Sequence, residues 1–292
     1  MYYKTLPYRI FNVLNTVFLS VIAIMCVIPL IHVLAVSLSA KAAADANLVG
    51  LWPVGFSTEA YAKTIQNRYF LSSLWVSVLR TAIGTALILL VTVLAAYPLS
   101  KESREFRGRS VYAWVFVFTM IFNGGLVPFY ILIQKLGLLN KFAVLIIPAM
   151  VNVWLIVLMM NFFRGVPRAL EEAAFIDGAG HWSVLFRIYL PLSLPALATL
   201  GLFAGVWHWN SWFDGLLYLS RKEDYPLATY LQTVIVSRDM SSLSFSIEEM
   251  ELLSQKTINA AQIFIGALPV LLVYPFLQRY FIKGLVLGSV KE

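Results

Sequence analysis

The sequence predicts an all-α membrane protein with about six transmembrane helices and both termini in the cytoplasm. Of its 292 residues, 60% are hydrophobic and only 13% are charged, which is about half the charged share of an average soluble domain. The apolar residues fall into six long runs without the alternating pattern of a membrane barrel. Backbone polar groups must be paired inside a bilayer, which favours helices. The composition therefore excludes a disordered chain and most soluble folds.

Six runs have the length that a membrane-spanning helix requires. A helix rises about 1.5 Å per residue, so about 20 apolar residues cross about 30 Å of hydrocarbon. The predicted spans are residues 11–38, 71–99, 111–133, 142–163, 188–207 and 260–282. The first run is longer than the apolar part of a cleaved signal peptide, about 7 to 15 residues, so it is interpreted as a retained span.

Lysine and arginine residues indicate how the spans are oriented. With a cytoplasmic N-terminus, twelve of the 22 basic residues fall into short inside segments and nine into longer outside segments. Cytoplasmic loops are enriched in Lys and Arg, which favours this orientation. The remaining basic residue, Arg80, lies within the second span. There its guanidinium either reaches the membrane–water interface or meets a polar neighbour. His208, at the outer end of the fifth span, is interpreted as an interfacial hydrogen-bonding residue.

The charge distribution limits the function classes that remain. The net charge of +7 forms no continuous basic stripe, so nucleic acid is not an expected partner. All fifteen acidic residues lie outside the predicted spans, so no proton relay can be traced through them. The single cysteine, Cys26, excludes cysteine-based metal sites, and neither a catalytic residue nor a metal site is expected. Unless the chain is a passive channel, another molecule must supply the driving energy.

The longest predicted cytoplasmic loop comprises residues 164–187. Gly178 can adopt the left-handed conformation that ends a helix, so a short helix is predicted from about residue 167 to residue 177. After Gly180, a second short helix runs into the fifth span. The first helix has a largely apolar surface of small residues, and flanking charges hold it in water. Such a helix usually docks into a groove on another protein.

This loop resembles the EAA loop of binding-protein-dependent ABC importer permeases. The family pattern is E-A-A-x3-G-x9-I-x-L-P, and the chain meets every position in a loop before the penultimate span. The matching residues are Glu172, Ala173, Ala174, Gly178, Ile188, Leu190 and Pro191. The resemblance extends from about the second span to the C-terminus.

The resemblance implies the type I ABC importer permease fold. In that family the loop forms a coupling helix, which sits in a cleft of a cytoplasmic ATPase and moves the spans between inward- and outward-facing states. The implied ATPase-coupling residues are Glu172, Ala173, Ala174, Asp177 and Gly178. The implied regions are 1–69, with the first transmembrane helix and an outer loop, and 70–292, the permease transmembrane domain with coupling loop 164–187.

The resemblance further implies a transport subunit that is not itself an enzyme. The chain has no G-x-x-x-x-G-K-S/T phosphate loop, so ATP and Mg are expected on the partner ATPase and no cofactor on this chain. The implied partners are a second homologous permease subunit, a cytoplasmic ATPase dimer, an extracytoplasmic solute-binding protein and membrane lipid. The implied location is the cell (inner) membrane, which the chain crosses several times.

Three segments narrow the resemblance to carbohydrate importers. Residues 123–130, 136–140 and 281–291 resemble the permeases similar to the second subunit of maltose importers. The Gly124-Gly125 pair is closest to the branch for larger oligosaccharides, which includes the alginate importer. The expected cargo is an oligosaccharide, with alginate-derived sugars included. Another sugar or a polyol remains an alternative, as does a stand-alone channel or facilitator.

Aromatic and amide side chains near the spans supply candidates for the substrate path. Flat aromatic faces suit the C–H faces of sugar rings, and amide groups suit their hydroxyls. The candidates are Asn123, Asn152, Trp207, Trp209, Asn210 and Trp212. Tryptophan is also enriched at membrane interfaces, and asparagine also bonds neighbouring helices, so both alternatives stay open.

Overall fold

The structure is a computed structural model that describes residues 5–241 and 255–289, with side chains described for residues 5–234 and 255–275. Every regular element in these ranges is a helix, which confirms the predicted all-α class. The helices in chain order are α1 Leu6–Ser37, α2 Lys41–Asp45, α3 Glu59–Gln66, α4 Arg68–Ser100, α5 Arg109–Ile121, α6 Leu126–Lys135, α7 Val153–Arg164, α8 Arg168–Ile176, α9 His181–Leu192, α10 Leu194–Asn210, α11 Phe213–Tyr218, α12 Leu227–Ser241 and α13 Lys256–Ser289.

The chain divides into two compact units. The first comprises the described parts of Met1–Leu71 and Thr233–Leu268, and the second those of Ser72–Gln232 and Pro269–Glu292. The predicted functional regions 1–69 and 70–292 stay a prediction. Of the C-terminal segment 281–291, which contributed to the carbohydrate-importer resemblance, residues 281–289 are described without side chains, and 290 and 291 lie outside the described residues.

In the first unit, the chain after α1 folds back onto the end of that helix. The Ser39 hydroxyl donates to the carbonyl of Ala35 at 2.6 Å and accepts from the backbone N–H of Val54 at 3.0 Å. The side chains of Ala35, Ala44 and Val49 form a small apolar cluster beneath this loop. The predicted outer loop is therefore an ordered structure with its own short helices.

The described residues contain three helices that are long and apolar enough to cross a membrane. These are α1, α4 and the Lys256–Pro275 part of α13, and they occupy the predicted first, second and sixth spans. The predicted spans 111–133, 142–163 and 188–207 are not single straight helices. Each is a pair of helical segments, bent by 115°, 49° and 80° respectively. Counting each bent pair as one span gives the six that the sequence predicts.

Two of the three breaks occur at residues that interrupt an α-helix. Gly125 has a φ of +88° between α5 and α6, outside the right-handed helical region. Pro195 lies in the first turn of α10, where its missing N–H is tolerated. Pro191 cannot donate to the carbonyl of Arg187, and Leu185–Tyr189 forms a π-helical turn just before it. Hydropathy gives the apolar length of a run but not these interruptions.

The core of the second unit forms where α4, α7, α9 and α10 meet. Its residues are buried because each helix turns an apolar face toward the other three. The fully or almost fully buried members include Ile88, Ala96, Leu155, Ile156, Met159, Val184, Leu185 and Leu200. This core positions the loop that contains α8 beside the C-terminal end of α4.

Candidate functional site

The short helix α8 begins and ends within one residue of its predicted limits. Gly178 has a φ of +81°, and its N–H donates to the carbonyl of Phe175 at 3.0 Å. The N–H of Ala179 donates to the carbonyl of Ala174 at 2.9 Å. These two bonds form a Schellman motif, which requires a left-handed residue at the position of Gly178. No heavy atom would lie within 4 Å of a Cβ there, so backbone conformation rather than space explains the glycine.

The outward face of the loop presents unpaired apolar surface. Glu172 and Ala173 are exposed, and Ile176, in the last turn of α8, is 86% exposed. Trp182 is also exposed, and its ring stacks on that of Phe186 with centroids 6.0 Å apart. Charged ends with an exposed apolar centre are typical of a surface that a partner protein covers.

The other predicted coupling residues lie on the same loop. Asp177 is the exposed last residue before the Schellman glycine. Ala174 is half-buried and packs against the core of the second unit. The loop therefore has one face that contacts the helices and another that faces outward.

Sequence reasoning missed Glu171 and gave no partner to Arg80. Glu171 is only 7% exposed and is ion-paired with Lys101, beyond the end of α4. Helical spacing does indicate the inward orientation of Glu171, because Glu171 lies three residues before Ala174 on the same face of α8, and Ala174 packs against the core. Its neighbour Glu172 lies a further 100° around the helix and faces outward.

An exposed ion pair accompanies the buried one. Arg168, the first residue of α8, donates to the carboxylate of Glu102 at 2.6 Å. This hydrogen bond, together with the charges of Arg168 and Arg104, lowers the pKa of Glu102. Surface pairs of this kind contribute little to stability because water screens them.

Two open pockets lie against α10, and Trp207 lines both. The Trp154 pocket is formed by Asn152, Trp154 and Trp207 with residues of α5. The Trp212 pocket is lined by Trp207, Asn210 and Trp212, among others. Four of the predicted substrate-path residues, Asn152, Trp207, Asn210 and Trp212, therefore line neighbouring pockets.

The remaining two path candidates lie elsewhere. Trp209 is 9% exposed and lines neither pocket. Asn123 lies in the break between α5 and α6, where its side-chain carbonyl accepts the N–H of Gly125 at 2.9 Å. Asn152 also has a local role, since it caps α7 by accepting the N–H of Leu155 at 3.2 Å.

Near these pockets, Arg80 has the polar neighbour that one sequence alternative required. Its guanidinium is completely buried, forms an ion pair with Asp214 and donates to the carbonyl of Ser211 at 2.9 Å.

His208 is completely buried, and its ring lies directly against Gly84. The interfacial position expected for His208 is therefore wrong. Among residues 5–241 and 255–289, no cluster of three or more His, Cys, Asp or Glu side chains could hold a metal ion.

Comparison with known proteins gives consistent similarities. Residues 103–286 match the family model described as binding-protein-dependent transport system inner membrane component. The chain is 40% identical to the polygalacturonan/rhamnogalacturonan transport system permease protein YtcP of Bacillus subtilis (strain 168), over 97% of this chain and 99% of that protein. It is also 37% identical to protein LplC of the same organism, over 97% of this chain and 95% of that protein.

A solved structure is similar across nearly the whole chain. It is a crystal structure of a bacterial ABC transporter involved in the import of the acidic polysaccharide alginate. One of its chains is 34% identical, with a TM-score of 0.85, covering 95% of this chain and 98% of that one. The family match includes α8 and its Schellman turn, and this chain is a multi-pass membrane protein. It belongs to the family of inner-membrane components of binding-protein-dependent transport systems.

Proposed function

We propose that this chain is a permease subunit of an ATP-driven ABC importer that moves a carbohydrate across the cytoplasmic membrane. The named relatives support the carbohydrate class, because one transports polygalacturonan and rhamnogalacturonan and another belongs to an alginate importer. An oligosaccharide derived from such an acidic polysaccharide is the proposed cargo. An extracytoplasmic solute-binding protein delivers it to this subunit and to a second, homologous permease subunit.

The exposed apolar face of α8 is the observation that carries this proposal. Ile176 is exposed at the end of α8, and Trp182 is exposed just beyond the Schellman turn. We place this face in a groove of a cytoplasmic ATPase dimer that binds ATP and Mg. Full burial of an isoleucine side chain is favourable by about 1.5–3 kcal/mol relative to exposure, from which the cost of ordering the two proteins is subtracted. In this arrangement Glu172 and Asp177 supply charge at the rim, and Ala173 allows close approach.

The two pockets on α10 suit the proposed cargo. Tryptophan faces stack on the C–H faces of sugar rings, and the amide of Asn210 can donate to and accept from hydroxyl groups. Among the described side chains, neither pocket is lined by Lys or Arg. This chain therefore contributes recognition of ring faces and hydroxyls rather than of carboxylates.

Replacement of Gly178 tests the coupling role with a matched control. Gly178→Ala forces a residue with a Cβ into a left-handed conformation, although the site is spatially open. Gly180→Ala adds the same methyl group two residues later at a φ of −81°, also in open space. In proteoliposomes with the complete importer, we expect Gly178→Ala to lose most ATP-dependent uptake and Gly180→Ala to retain it. Equal uptake by both variants would contradict the coupling role.

Uptake of defined sugars tests the cargo. Proteoliposomes with the complete importer would be given oligogalacturonides, alginate oligomers, maltose oligomers or a polyol, with ATP inside or outside. We expect ATP-dependent uptake of an acidic oligosaccharide, reduced by Trp207→Ala but not by Trp75→Ala, an exposed tryptophan of α4 that lines neither pocket. Uptake by this chain alone without ATP would instead identify a facilitator.

A further inference from the structure

Adjacent glutamates of α8 have opposite environments. Glu172, which belongs to the family pattern, is exposed, whereas Glu171 is buried among protein groups. A carboxylate is rarely buried unless it is paired, because desolvation disfavours its charge. The burial of Glu171 therefore requires partners, and its surroundings identify them.

Both carboxylate oxygens of Glu171 are occupied. Oε1 accepts from the ammonium group of Lys101, and Oε2 accepts from the Tyr189 hydroxyl at 2.5 Å. The Lys101 ammonium also donates to the Tyr189 hydroxyl oxygen at 3.1 Å. The three side chains thus form a closed ring of hydrogen bonds, in which each member contacts the other two.

Aromatic rings enclose this ring of hydrogen bonds. The Lys101 nitrogen lies 4.3 Å from the ring centroids of both Tyr97 and Tyr189, a cation–π geometry. Tyr97 and Tyr189 meet edge to face at 5.2 Å, and Phe163 meets Tyr189 edge to face at 5.3 Å. These rings also pack against one another and leave the side chains of Lys101 and Glu171 only 7% and 10% exposed, at the wall of an open pocket.

These residues belong to four different helical segments. Lys101 follows α4, Phe163 lies near the end of α7, Glu171 is in α8 and Tyr189 is in the π-helical turn of α9. Single π-helical turns are frequent at functional sites, because an added residue re-aims the side chains of the turn. Here the turn places Tyr189 against α8. The coupling helix is therefore bonded to residues at the ends of two predicted spans, and Phe163 of α7 packs on one of these residues, Tyr189.

The physical character of this network differs from that of the exposed Arg168–Glu102 pair. A fully satisfied buried polar network specifies one arrangement, because any displacement leaves a charge without a partner in a low-dielectric region. An exposed pair can exchange its partner for water at little cost. Movement of α8 therefore displaces α4 and α9 with it, whereas the exposed pair can break independently.

We propose that Lys101, Glu171 and Tyr189, here called the clamp, transmit movement of the coupling helix α8 to α4 and α9. Each acts as a positioning residue and contacts neither nucleotide nor cargo. The inference rests on the proposed function, since it requires an ATPase that moves α8. It adds the intramolecular step by which that movement reaches the spans.

The test is the number of sugar molecules transported per ATP hydrolysed. The complete importer in proteoliposomes would be given an oligogalacturonide and the loaded binding protein. The first variant, Lys101→Met/Glu171→Leu, removes both charges together and leaves no unpaired charge, although the Tyr189 hydroxyl loses both partners. The second, Tyr189→Phe, removes one hydroxyl and keeps the ring. Glu102→Gln, which breaks the exposed pair on the same loop, is the matched control.

We expect both clamp variants to transport about tenfold less sugar per ATP than the wild type, and Glu102→Gln to match the wild type. A purely structural role would lower transport and hydrolysis together and leave their ratio unchanged. An unchanged ratio in Tyr189→Phe overturns the clamp, whether or not the double variant assembles. A wild-type importer without ATP-dependent uptake overturns the proposed function as well, so the two failures are distinguishable.

Discussion

Two buried ion pairs along α4 are built differently. Lys101 and Glu171 share a third partner, Tyr189, and both charges are enclosed. Arg80 is also completely buried, but the side chain of its partner Asp214 is 23% exposed. The two basic residues are 21 positions apart, roughly 30 Å along the helix. The Lys101–Glu171 pair, here called the sealed pair, has side chains that are at most 10% exposed. The Arg80–Asp214 pair, here called the open pair, has a carboxylate that is 23% exposed.

Each pair suits the neighbours that α4 has at that position. Asp214 lies at the start of α11 and also accepts from the Ser211 hydroxyl at 3.0 Å and from the N–H of Gly215 at 2.9 Å. Its carboxylate can therefore lose one partner and retain others. This pair holds the turn beside the Trp212 pocket while tolerating small shifts there. The sealed pair beside α8 has fewer alternative partners, since Glu171 accepts only from Lys101 and Tyr189 among the hydrogen bonds of the described residues.

Removal of one charge from the sealed pair should have the largest effect. In Lys101→Met, Glu171 stays buried without its cation, and breaking a buried pair typically costs about 3–5 kcal/mol. Thermal unfolding of the purified complex should show a large decrease in Tm. Lys101→Met/Glu171→Leu should recover most of that decrease, because no unpaired charge remains. A single variant as stable as the wild type would show that the pair is not sealed.

Neutralising the open pair should cost less. Asp214→Asn keeps an oxygen that accepts from Arg80, and the partly exposed site admits water, so we expect a loss of about 1–3 kcal/mol. The same Tm measurement compares the two ion pairs directly. If Asp214→Asn is more destabilising than Lys101→Met, the proposed difference between sealed and open pairs is wrong.

Packing one turn beyond Arg80 gives a test that leaves the charges unchanged. A Cβ at Gly84 would lie 2.3 Å from Nε2 of His208, so Gly84→Ala should destabilise the complex by about 1–3 kcal/mol. At Gly205, on the facing helix, the Cβ would be in ordinary contact at 3.5 Å from Thr85. Gly205→Ala should be neutral or stabilising by up to about 1 kcal/mol, because alanine favours helix. Equal Tm values for both variants would contradict this packing.

The exposed Arg168–Glu102 pair should show the smallest effect. Arg168 lowers the pKa of Glu102, so the carboxylate contributes stability above its ordinary pKa and loses it as the pH falls through the lowered value. The Tm of Glu102→Gln should therefore be at most slightly below that of the wild type at neutral pH, because water screens this exposed pair. That small difference should disappear as the pH falls and the wild-type carboxyl becomes protonated. A large difference at neutral pH would mean that this pair, too, is structural.

Local features of the chain were predictable because they depend on residues close in sequence. The Schellman turn at Gly178 and the limits of α8 follow from a helix-favouring stretch and a glycine. The six apolar runs follow from hydropathy alone. Hydropathy does not show the bends within three of them, because an apolar run has the same hydropathy whether or not Gly125 or Pro195 interrupts its helix.

The buried ion pairs could not be predicted in the same way. Lys101 and Glu171 are 70 residues apart, and Arg80 and Asp214 are 134 apart, so only the packing of the helices brings them together. Arg80 within an apolar run did indicate a polar neighbour, but many loop residues could have supplied it. For Glu171, the family pattern drew attention to its neighbour Glu172, which faces outward.

Burial of the outward face of α8 by the ATPase is the central claim, and cysteine labelling tests it most directly. Ile176→Cys in a Cys26→Ser background would be labelled with a water-soluble maleimide, with and without the ATPase bound. Arg104→Cys, exposed on the neighbouring loop, is the control. We predict that the ATPase protects position 176 strongly and position 104 little. Equal labelling of position 176 in the free chain and in an assembled, transporting complex would contradict the docking of α8.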